Sequence, residues 1–160
     1  SHTLRIARGA EDGVVKGAPV IAPEGVVGTV SQVTGSYADV QLVVAPLSFV
    51  PAVNQRTRGR STVHGVDDIA RCRLEYALRA DDLQEGDLLV TAGGPGSFPP
   101  GLRIGRITNV QKKPVGLFTS AEVILAVDFS RLDEVAVVVQ QPLPDAPEPF
   151  NRGVADGATP

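Results

Sequence analysis

The sequence has no methionine, no tryptophan, one cysteine (Cys72), two histidines (His2 and His64) and only 4 % aromatic residues. Each shortage removes a class of function. A single thiol makes no internal disulfide, and two histidines beside it are too few for a structural zinc site. The net charge of −3 offers no positive excess, which argues against a dedicated nucleic-acid or anionic-membrane binder. So few aromatics leave no base-stacking or sugar-stacking platform. The longest apolar run, Val135 to Val139, is a strand's length and far short of the ~20 residues of a membrane span. Without an initiator methionine the sequence reads as a processed or excised piece of a longer chain, and Ser1-His2 as a leftover of the excision.

What is present points to strands. The chain has 160 residues, 42 % of them hydrophobic and 21 % charged, a composition suited to a soluble globular fold of one domain or two small ones. Valine is the commonest apolar residue, and 17 glycines and 13 prolines punctuate the chain. That favours β-structure with many turns. Val20-Ile21-Ala22, the turn signal Pro23-Glu24-Gly25 and Val26 to Val33 read as a hairpin. Tyr37 to Val44 alternates again. Phe49 to Val53 reads as an edge strand, because Pro51 has no N–H to give to a ladder. Arg71 to Tyr76 alternates so as to place Cys72, Leu74 and Tyr76 on a buried face, and Ala80 to Gly86 suggests one helical turn capped by Asp81.

The chain also repeats itself. Gly25 to Val33 lies over Gly101 to Val110, and the pairs Val30/Ile107 and Val33/Val110 are both 77 residues apart. In both copies apolar residues fall three apart around a glycine, Gly28 or Gly105. A three-residue step breaks strand alternation and predicts a bulge or sharp bend of the kind that closes a small barrel. The expected fold is therefore all-β: two tandem small β-barrels over residues 3–68 and 69–140. A disordered Pro-rich tail is expected over 141–160, where Pro142, Pro144, Pro147 and Pro149 cluster.

No catalytic, cofactor or metal residue is assigned. A hydrolase on a double barrel would need His64, an acid and a serine or Cys72 in one cleft, yet no nucleophile signature surrounds any serine. The strand phase of Cys72 buries it, and buried cysteines are inert. Ala92 to Ser97 is glycine-rich, but Pro95 removes an N–H and no lysine follows, so it is no phosphate loop. Asp81-Asp82 and Glu85-Gly86-Asp87 lack the ligand spacing of a calcium loop. The basic stretches Arg56/Arg58/Arg60 and Lys112/Lys113 read as exposed loop faces.

The segment Thr91-Ala92-Gly93-Gly94-Pro95-Gly96-Ser97-Phe98-Pro99-Pro100-Gly101-Leu102-Arg103-Ile104-Gly105 resembles the signature of the rod shape-determining protein MreC family. The approach Leu74-Glu75-Tyr76 … Asp81 to Val90 and the run Gly13 to Val30 are similar to it too. Ala92 stands where the family often has serine. The resemblance spans about Leu4 to Val139 and implies two six-stranded β-barrels like the halves of chymotrypsin-type proteins, without catalytic residues. It implies a non-enzymatic scaffold of the bacterial cell-elongation complex on the periplasmic face of the inner membrane, anchored by an N-terminal helix missing here. The implied partners are a class B penicillin-binding transpeptidase, MreD, RodA, MreB and further copies of the chain, as an oligomer or filament. Phe49, Pro51, Phe98 and Phe118 are the candidate interaction residues, on the expected edge strand and at two loop tips.

Overall fold

The computed structural model describes residues 2–139, and the tail expected over 141–160 lies outside the described residues. The strands are β1 (Thr3–Ile6), β2 (Pro19–Ala22), β3 (Gly25–Val33), β4 (Ala38–Leu42), β5 (Phe49–Asn54), β6 (Arg60–Gly65), β7 (Arg71–Leu78), β8 (Leu88–Thr91), β9 (Arg103–Gln111), β10 (Phe118–Leu125) and β11 (Ala136–Val137). Among the described residues helix is confined to three 3-10 turns of three residues each. One of them, Arg79–Asp81, stands where a turn capped by Asp81 is expected, but Leu78 precedes it and left-handed Asp82 ends it.

Six strands close into a barrel in the order β10-β7-β6-β5-β8-β9, and five form an open sheet, β1-β4-β3-β2-β11. The all-β expectation therefore holds, with one barrel closed and the other present as a curved half. The division at residue 68 does not follow the sheets. After β4 the chain dives through buried Val43, Val44 and Ala45. This delivers β5 and β6 to the closed barrel, where Val50, Ala52 and Val63 pack with Leu74, Leu89 and Ile104. The short β11 then returns to the first sheet and pairs with β2 through Ala136↔Ile21 and Val137↔Val20. Consecutive residues of β3 feed the two cores, Val26 the barrel and Val27 the half-barrel.

The internal repeat is visible in the ladders. β2-β3-β4 and β8-β9-β10 are the same unit. Gly17 N–H donates to the Val30 carbonyl at 2.8 Å, as Gly86 N–H does to that of Ile107 at 2.8 Å. Val30 N–H donates back to Ala18 and Ile107 N–H back to Asp87, both at 2.9 Å. In β3 the register slips by one residue at Val27, and in β9 it slips at Ile104. These are the two expected bulges, each immediately before its glycine. The slip lets Val27 and Val30, and likewise Ile104 and Ile107, face inward at a three-residue spacing.

Candidate functional site

The two residues on which a reactive centre would rest, His64 and Cys72, are committed to structure. His64, on β6, stacks on Phe49 with centroids 4.1 Å apart. Its Nδ1 meets Glu75 Oε2 at 2.9 Å and its Nε2 meets the Pro46 carbonyl at 2.8 Å. Both ring nitrogens thus face acceptors, and neither is aimed at a nucleophile. Cys72 is 1 % exposed, and burial pushes its thiol up to about 12, with Asp68 adding to the shift. Among the described residues no group of three or more His, Cys, Asp or Glu could hold a metal ion.

The acidic turn has an internal use. Asp87 is 7 % exposed and accepts from Arg56 Nε at 2.8 Å, Arg56 Nη2 at 2.9 Å, Asn54 Nδ2 at 2.9 Å and the Gln84 amide at 2.9 Å. The Arg56 guanidinium is the main cause that holds its carboxyl down to about 2, against the opposing effect of burial. Asn54 Oδ1 meanwhile accepts from the amides of Arg56 and Thr57. The network ties the β5–β6 turn to the entry of β8, so Arg56 belongs to the frame and not to an anion site.

The glycine-rich loop is held the same way. Thr91 Oγ1 donates to the Pro99 carbonyl at 2.6 Å and accepts from the Leu102 amide at 2.9 Å. This folds the loop so that Phe98, 5 % exposed, enters the barrel core. The ring seals the loop onto its own barrel and is withdrawn from the surface, which removes Phe98 as a contact for a partner. Pro51 also departs from expectation. β5 is an inner member of a closed barrel, paired with β6 through Pro51↔Thr62 and with β8 from Ala52 onward. The missing N–H of Pro51 is tolerated because β8 ends there, and the Pro51 carbonyl accepts from Ala92.

Phe49 and Phe118 do reach the surface, at 54 % and 43 % exposure. Phe118 has a neighbour that strand alternation hides. β7 carries one extra residue between Leu74↔Ala121 and Ala77↔Thr119. Tyr76 sits in this bulge at φ 65. The phase of the strand flips there: Ala77 is buried in place of Tyr76, and the tyrosine ring turns out to 60 % exposure. It meets Phe118 edge-on, with centroids 5.6 Å apart. Leu78, Leu117 and Val115 are exposed alongside in sequence, on β7 and on the hairpin leading into β10. A bulky residue with positive φ is costly and is found where surrounding structure over-determines it, often at functional surfaces. The apolar run Val115 to Phe118 at a hairpin tip was the available signal for this patch; nothing in the sequence marked Tyr76.

Residues 1–139 match the family described as rod shape-determining protein MreC, barrel core. The chain belongs to the MreC family. It is 32 % identical over 139 residues to the cell shape-determining protein MreC of Caulobacter vibrioides, covering 87 % of this chain but 38 % of that relative. The crystal structure of MreC from Pseudomonas aeruginosa is similar at TM-score 0.81 and 28 % identity, covering 86 % of this chain and 89 % of that one. A complex between a penicillin-binding protein and MreC from Helicobacter pylori shares the fold at TM-score 0.60 and 13 % identity, over 79 % of this chain and 78 % of that one. Among the described residues no helix is long and apolar enough to cross a membrane.

Proposed function

We propose that this chain is a non-catalytic docking domain of the bacterial cell-elongation machinery, on the periplasmic face of the inner membrane. Its partner is a class B penicillin-binding transpeptidase, and the contact is made by the patch around Tyr76 and Phe118. The observation that carries this reading is the outward turn of Tyr76 on a strained backbone, beside exposed Phe118, Leu78 and Leu117. Aromatic anchors ringed by aliphatic side chains are the residues that dominate protein interfaces. Family membership supplies the partner's chemistry, since a relative is known in complex with a penicillin-binding protein. A scaffold of this kind acts by favouring one conformation of the enzyme it holds, to the extent that it binds that conformation more tightly.

The barrel order places β5 opposite β10. Phe49 and Pro51 therefore lie on the wall facing away from Phe118, and we assign them to self-association. Two opposed walls let one copy hold a neighbour and the transpeptidase together, in an assembly that would also contain MreD, RodA and MreB. Calorimetric titration of the soluble part of the cognate transpeptidase into this chain tests the reading. Saturable binding that is lost in Phe118→Ala supports it; no binding, or binding unchanged in Phe118→Ala and Tyr76→Ala, overturns it. Light scattering, with Phe49→Ala as control, tests the self-association.

A further inference from the structure

The repeat extends beyond the three strands already matched, and it leaves one strand position unmatched among the described residues. β1 pairs with β4 as Thr3↔Gln41, Leu4↔Val40, Arg5↔Asp39 and Ile6↔Ala38. β7 pairs with β10 as Arg71↔Ile124, Cys72↔Val123, Arg73↔Glu122 and Leu74↔Ala121. Since Val40 and Val123 are equivalent, β1 is the counterpart of β7, residue for residue, and Leu4 and Ile6 stand for Cys72 and Leu74. The same holds at the other edge. Val137 pairs with Val20, and Asn54 with Leu89. Val138 N–H donates to Pro19 at 2.8 Å, as Gln55 N–H does to Leu88 at 2.9 Å. β11 is thus the counterpart of β5.

One strand has no counterpart among the described residues: β6, which in the closed barrel lies between β5 and β7. Its place in the half-barrel is the seam between β11 and β1. A cleft of about 780 Å³ lies there, lined by Ile6, Ala7, Val14, Val135, Val137 and Val139 among others. Burial carries the mark of the missing strand. Cys72, Leu74, Ala52 and Asn54 are buried, whereas their counterparts Leu4, Ile6, Val135 and Val137 are only half-buried.

The seam also presents backbone groups. The Leu42 amide donates to the His2 carbonyl, so by strand alternation Leu4 and Ile6 direct their amides to β4. Thr3, Arg5 and Ala7 direct theirs into the seam. A strand that fills it must pair on both sides, as β6 does. Each described strand of a folded copy has at least one edge already bonded, so a second copy does not offer one. Pro51 is tolerated in β5 because β8 ends beside it, so a strand bonded on both sides along its length has no place for proline.

We infer that the seam between β1 and β11 accepts an extended, proline-free segment of a partner protein, added antiparallel to both strands with a valine-sized side chain inward. The inward residue takes the place that Val63 holds in the closed barrel, where it is fully buried. This is strand addition to a half-barrel in which one strand position is unfilled among the described residues. It uses a different face from Tyr76 and Phe118, so it stands or falls independently of the transpeptidase reading.

Hydrogen–deuterium exchange on the full chain tests it, with a peptide of the sequence Gly59 to Val66 as the probe. The expected result is that the peptide slows exchange at Thr3, Arg5 and Ala7 at least tenfold and leaves Leu4 and Ile6 unchanged. A peptide with aspartate at the Val63 position should have no effect. In the chain, Ala7→Pro removes one seam-facing N–H at an exposed position and should weaken peptide binding at least tenfold, with unchanged unfolding. Uniform exchange with and without peptide overturns the inference. So does protection present without peptide, whether it disappears when residues 140–160 are removed (filled by the chain's own tail) or grows with protein concentration (filled by a second copy).

Discussion

Gly28 and Gly105 occupy the same place in the two halves, each one residue past a bulge and pressed against the neighbouring strand. A β-carbon at Gly28 would run into the Gln41 carbonyl, and one at Gly105 into that of Ile124. The repeat holds a second glycine pair of another kind: Gly17 and Gly86 adopt φ 90 and 86 and have nothing within 4 Å of an added β-carbon. The first pair is required for space, the second for handedness. Gly28→Ala and Gly105→Ala should each cost about 2–3 kcal/mol through backbone displacement. Gly17→Ala and Gly86→Ala should cost about 1–2 kcal/mol through left-handed strain alone. Urea unfolding checks the order, and Gly86→Asn should be milder than Gly105→Asn because asparagine tolerates positive φ.

Asp87 gives the fold an acid limit. Its carboxyl sits at about 2 in the folded chain against an ordinary value of 3.8. A depressed folded value means stability that is fully present above pH ~4 and lost as the pH falls towards 2. Because Arg56 is partly solvent-exposed, the contribution is discounted to about 1–2 kcal/mol. Asp87→Asn should lower the urea midpoint at neutral pH and flatten the fall in stability between pH 4 and pH 2. An unchanged acid limb in the variant would mean that another carboxylate sets it.

The bends were legible because they rest on local spacing. Two apolar residues three apart around a glycine have one simple explanation in a strand, and both bulges are where that spacing put them. The pairing partners were not legible, because they are decided by distant residues. β11 is only Ala136–Val137, too short to show a period, yet it forms one edge of the first sheet. Pro51 looked like an edge because the ending of β8 beside it depends on the clamp at Thr91. Tyr76 follows alternation in sequence and breaks it in space, since an inserted bulge residue leaves no trace in an alternating pattern. Of the exposed aromatic patch, Phe118 was therefore legible at its hairpin and its neighbour Tyr76 was not.

Cys72 reports on opening of the barrel. The thiol is buried and its ionisation is pushed up to about 12, so thiolate is scarce at neutral pH and reagent access is closed. Its labelling by a disulfide reagent should be slow in the native protein and should track global unfolding in urea. Fast labelling under native conditions would mean that β7 separates from β6 or β10 without unfolding the rest.

Tyr76 separates stability from binding. Its positive φ costs an L-residue ~1–2 kcal/mol, while its edge-on contact with Phe118 returns ~0.5–1.5 kcal/mol. Tyr76→Gly removes both at once, so the unfolding midpoint should move little. The anchor for the partner goes with the ring, and the loss of an interface aromatic of this kind is worth ~2 kcal/mol or more. Affinity for the transpeptidase should then fall about tenfold to a hundredfold, while Tyr76→Phe keeps most of it. Paired urea and calorimetric measurements on the two variants decide the matter. If Tyr76→Gly is strongly destabilised, the ring serves the barrel; if stability and affinity both stay unchanged, the partner binds another face.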